Sequence, residues 1–90
     1  SDPPSPEGSK ALELLHASLQ QRRLAAQDTD PTLRLQHASN ASTFLQSARM
    51  VTKDSLLERS SGTDVQRLAR TYDEMIVEAQ SIWKKRAGRE

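Results

Sequence analysis

Residues 63–86 read TDVQRLARTYDEMIVEAQSIWKKR, and this stretch decides the fold class. Val65, Leu68, Ala69, Tyr72, Met75, Ile76, Ala79, Ile82 and Trp83 recur at spacings of three and four. At 100° per residue they all fall inside one arc of about 140°, and almost everything outside that arc is charged or polar. Such a pattern is an amphipathic helix laid against a core. The residues before it supply the punctuation. Gly62 offers a helix stop, and Thr63-Asp64-Val65-Gln66 has the Thr-x-x-Gln form of a capping box, so a helix is expected over 63–86.

Upstream, Asp30-Pro31 pairs a good N-cap with a residue suited to the first helical position. From there Leu33, Ala38, Ala41, Phe44, Leu45, Ala48, Val51 and Leu56 share a broad arc, which predicts a helix over 31–59. At 1.5 Å per residue it would span about 44 Å, longer than its neighbours, and Lys53-Asp54-Ser55 is the natural place for a break. There Ser55-x-x-Glu58 would recap a short final piece. A first helix is expected over 9–27, burying Ala11, Leu12, Leu15, Leu19 and Ala26 with Arg22 on the border. Residues 1–8 hold three of the four prolines and a glycine and read as a linker, with Ser5 or Ser9 to cap the helix that follows. No strand pattern occurs. The expectation is an all-α chain, an antiparallel three-helix bundle (up-down-up) over 9–87 preceded by a short Pro-rich linker.

Composition narrows the function. Ninety residues make one domain, and 34% apolar residues with three aromatics give a thin core built mainly from Leu, Ile, Val, Met and Ala. So small a helical unit hardly encloses the concave, water-poor pocket that catalysis needs. The chain has no cysteine, which removes disulfides, thiolate nucleophiles and cysteine zinc sites together. No apolar run approaches the roughly 20 residues that span a bilayer, and no signal-peptide core opens the sequence. A net charge of +1 gives no general attraction to nucleic acid or anionic membrane. These features suit an intracellular protein, nuclear or cytoplasmic, and the two ends read as cuts from a longer chain.

No residue set announces chemistry. His16 and His37 lie beside the core arcs of their helices, where they would be near each other, but carboxylates at metal-ligand spacing are missing. Asp73, Glu74 and Glu78 share a face with Arg67 and Arg70 and read as a solvated, charge-laced surface. No serine has the base and orienting group of a nucleophile. Asn40-Ala41-Ser42 matches a glycosylation sequon but falls mid-helix. The reading is therefore no enzyme, no cofactor and no metal. Lys84, Lys85, Arg86 and Arg89 form one basic cluster, as the macrodipole favours at a helix C-terminus. Together with Arg22, Arg23 and Arg34 it is also the basis for an alternative nucleic-acid reading.

What remains is apolar residues away from the core arcs. Leu14 and Leu24 on the first helix, and Met50 and Leu57 on the second, point outward as pairs. They suggest a shallow groove for a partner helix or short apolar motif. The expected function is protein–protein interaction by a regulatory or scaffold protein, with homo-oligomerisation through the same leucines as a further alternative.

Overall fold

The computed structural model describes residues 5–88, and every regular element among them is helical: α1 (Pro6–Gln27), α2 (Pro31–Val51), α3 (Asp54–Ser61) and α4 (Val65–Ala87). Four helices stand where the sequence suggested three, because the helix expected over 31–59 is two. Thr52 is fully extended (φ −149°, ψ 168°) and Lys53 stays in the β region. The Arg49 guanidinium grips the Asp54 carboxylate from the other side of the break, Nε to Oδ1 at 3.0 Å and Nη2 to Oδ2 at 2.9 Å. A two-pronged ion pair fixes direction as well as distance, so α3 leaves the line of α2 at a set angle.

The helix ends follow local chemistry, with corrections. Ser5 caps α1, its Oγ accepting from Gly8 N at 3.0 Å with Pro6 in the first helical position, so residues 6–8 are helix rather than linker. Residues 1–4 of the expected linker lie outside the described residues. Asp30 caps α2 as expected, accepting from Thr32 N at 2.8 Å. Gly62 ends α3 in the left-handed region at φ 72°, a conformation that costs a side chain with a Cβ but not glycine. Neither expected capping box forms. Asp64, not Thr63, caps α4 through Arg67 N at 3.0 Å. Glu58 is drawn away from Ser55 to accept from Val65 N at 3.2 Å, which ties α3 to the start of α4.

α1 and α2 make the most extensive contact, α4 leans on α2, and α3 touches α1 and α4. Later residues of α1 meet earlier residues of α2: Ser18 meets Ala41, Gln21 meets Asn40, and Asp28 meets His37. The two helices therefore run antiparallel. Tyr72 reaches Ser18 beside Ala41, whereas Trp83 ends beside Pro31, so α4 also runs against α2.

The core is built on small residues. Ala11, Ala25, Ala38, Ala41 and Ala48 are fully buried, which brings the backbones close, and Leu15, Leu45, Leu57, Val65, Leu68 and Tyr72 fill the rest. Several expected core residues are not there. Ala25 is buried and Ala26 exposed; Leu33, Val51 and Leu56 are exposed; Ile76 and Ile82 are only half-buried. Ser18, which the apolar pattern passes over, is fully buried.

Candidate functional site

Ser18 sits where three helices meet. Its Oγ is 2.6 Å from the Ala41 carbonyl and 2.9 Å from the Tyr72 hydroxyl. With its one hydrogen given to the carbonyl, the hydroxyl of Tyr72 supplies the donor between the two side chains. Burial pushes the Tyr72 hydroxyl above the usual tyrosine value, against a smaller opposing pull of the Arg22 guanidinium. This network is satisfied: among the described residues no buried side-chain polar atom lacks a partner. It fixes register, and it offers no free group to a substrate.

The other titratable residues fall apart in the same way. His37 Nδ1 donates to the Asp28 carboxylate, and Arg34 Nη2 donates to the Asp28 carbonyl at 2.7 Å, so both lock the α1–α2 turn. His16 is exposed about three helical turns from that turn, and the two histidines are not neighbours. Asp73, Glu74 and Glu78 are exposed on α4, as the sequence suggested. No group of three or more metal-ligating side chains occurs among the described residues. Within the same residues no helix is long and apolar enough to cross a membrane.

The four apolar residues expected to flank a groove do not form one. Leu57 is 1% exposed, because the break at Thr52–Lys53 turns α3 inward and makes Leu57 part of the core. Leu14 is half-buried and packs against that core. Leu24 (39% exposed) and Met50 (87% exposed) do reach the surface. The antiparallel register puts them at opposite ends of the α1–α2 pair, about 20 Å apart at 1.5 Å per residue.

A different place has the character of a site. Where the end of α4 passes the start of α2, Asp30, Pro31, Thr32, Trp83, Arg86 and Ala87 wall a hollow of about 240 Å³. Pro31 is buried and Trp83, the only tryptophan, is 50% exposed, so an indole face stands half open to solvent beside a guanidinium, with the covered proline ring at its back. Lys84 and Lys85 are exposed on the last turns of α4 without lining this hollow, while Arg89 lies outside the described residues. The sequence reading placed Trp83 in the core because its angle fits the apolar arc. The start of α2 at Pro31 is as the sequence predicts; what no local pattern shows is that Pro31 lies level with Trp83, so that α2 leaves the last turns of α4 uncovered. No protein-family model, no curated protein and no solved structure matches the chain.

Proposed function

We propose that this chain is a non-catalytic protein-interaction module of an intracellular regulatory or scaffold protein. We read α1, α2 and α4 as an up-down-up bundle with α3 set into its second connection. The observation that supports the reading best is the Trp83–Pro31 hollow. A large aromatic left half-open next to a rigid ring is the kind of anchor on which short apolar motifs dock, with one or two side chains carrying most of the energy. The hollow takes a single apolar side chain, and Arg86 on its wall favours an acidic residue beside it. Such a contact buries little area, so affinity in the micromolar range is expected.

The test uses the folded chain to select binders from a random-peptide library. Trp83 is the reporter, since its emission shifts to the blue when the indole is covered. The reading requires an enriched apolar–acidic motif whose binding is lost in Trp83→Ala and weakened in Arg86→Ala. No enrichment, or enrichment indifferent to both changes, would sink it.

One observation favours a second reading. An exposed indole followed by Lys84, Lys85 and Arg86 is also a minimal platform for stacking a base over a phosphate contact. The net charge of +1 limits that reading to weak, non-specific binding at physiological salt. Affinity for single-stranded oligonucleotides at nanomolar protein, falling steeply with salt, would put it first.

A further inference from the structure

The outer face of α4 carries acidic residues toward its start and a lysine toward its end, with a valine between, an order that complements its own reverse. Val77 is 64% exposed on it, and a shallow hollow of about 660 Å³ runs along the same side, walled by α4 alone. Glu74, Glu78, Ser81 and Lys85 line it at spacings of four, three and four, the seam by which one helix meets another. All four are exposed, and among the described residues neither carboxylate nor Lys85 has an ion-pair partner. Asp73 lies before the seam on one edge and Lys84 after it. The macrodipole accounts for cations at the end of a helix. It does not account for a valine left open between the acids and the bases.

We infer that α4 docks antiparallel on α4 of a second copy of this chain, about a two-fold axis passing between Ala79 and Gln80. An isologous contact requires one surface to complement itself under that rotation. Here the axis sets Glu74 against Lys85 of the second copy, Asp73 near its Lys84, and Glu78 against its Ser81 hydroxyl, which can donate to the carboxylate. Val77 meets the Val77–Ser81 edge of the other helix. Each pairing occurs twice, giving four opposite-charge contacts. The two Glu78 carboxylates come near the axis and repel, the one unfavourable element of the arrangement.

Exposed ion pairs are individually weak and the apolar contact is small, so the dimer is weak and salt-sensitive. Dissociation in the range of about hundreds of micromolar is in keeping with so limited an area. The face lies away from the Trp83–Pro31 hollow, and this pairing stands or falls apart from the module reading.

Sedimentation equilibrium of the chain from about 0.05 to 2 mM at low salt tests it. Glu74→Lys alone and Lys85→Glu alone should each weaken self-association about tenfold or more, with circular dichroism showing that both remain helical. An equimolar mixture of the two variants should associate at least as well as the unmodified chain, because the mixed pair restores every opposite-charge contact. Glu78→Gln should tighten the dimer by relieving repulsion at the axis. A monomer at every concentration overturns the inference. So does a dimer indifferent to the single changes, or a mixture no better than its components.

Discussion

Between α1 and α2, five alanines and a serine are fully buried, while on the last three turns of α4 Ile82 is only half-covered and Trp83 stands half in solvent. In the sequence the order of promise is the reverse. The stretch that becomes α4 has the cleanest apolar face in the chain, and α1 and α2 have diffuse ones interrupted by Ser, Asn and Gln. The difference teaches that periodicity tells which face of a helix is apolar, and side-chain size tells how closely another helix can come. Small residues let α1 and α2 approach until nothing between them is wet. Large residues on α4 hold their neighbour off, and its final turns run past the point where α2 begins.

The largest effect that tests this contrast lies in the seam. Leu45 is fully buried on α2, and Leu45→Ala should cost about 3 kcal/mol in urea unfolding, as a lost side chain plus the cavity it leaves. Ala41→Leu attacks the same seam from the other direction, by forcing the helices apart, and should cost about 1–3 kcal/mol. If both changes fall below about 0.5 kcal/mol, the alanine contact is not what holds the pair together.

Next in size is the hydroxyl network. Ser18→Ala removes the donor to the Ala41 carbonyl and the acceptor for Tyr72, so a cost of about 1–3 kcal/mol is expected. Tyr72→Phe removes only one bond and should cost about 1 kcal/mol. The two also differ in their pH response. Because burial raises the Tyr72 value above 10.0, the unfolded chain releases this proton before the folded one does. Stability from this group is therefore intact below pH 10 and declines as pH rises beyond it. Urea melts at pH 8 and at pH 11 should show a steeper alkaline loss for the unmodified chain than for Tyr72→Phe. Equal losses would mean that the hydroxyl is as accessible to water in the fold as out of it.

Ser18 also marks the limit of what the sequence could reveal. Helix identity, the caps at Ser5 and Asp30 and the stop at Gly62 were all legible, because each depends on a few neighbouring residues. The burial of Ser18 depends on Tyr72, 54 positions away, and no local pattern carries that. The break in the middle helix was legible as a place, near Lys53–Ser55, but its direction was not. That direction comes from the Arg49–Asp54 fork, and with it Leu57 passes from the surface to the core. The candidate site fared worst. The opening at Trp83 arises from the relative lengths and offsets of two helices, which no local pattern carries.

The fork itself gives a smaller effect. Both partners are partly exposed, at 29% and 25% of the side chain, so Asp54→Ala should cost only about 0.5–1 kcal/mol overall. Its local consequence should be larger. Amides of α3 should exchange with solvent faster in the variant while those of α1 and α2 keep their protection, since α3 is short and touches its neighbours lightly. Uniform acceleration through all four helices would show that α3 is part of the same cooperative unit as the seam.

The smallest stability effect belongs to the residue proposed to matter most for binding. Half of the Trp83 surface is already wet, so folding gains only part of what a buried indole would provide. Trp83→Ala should therefore lower stability by about 1 kcal/mol or less, well under Leu45→Ala although more atoms are removed. A residue whose loss hardly disturbs the fold but abolishes capture of an apolar–acidic motif is serving a partner. The opposite pattern would place it in the core after all. If Trp83→Ala costs about 3 kcal/mol or more, the last turns of α4 close over the indole in solution. The hollow beside Pro31 would then be filled from within, and the contrast between the two halves of the molecule would disappear with it.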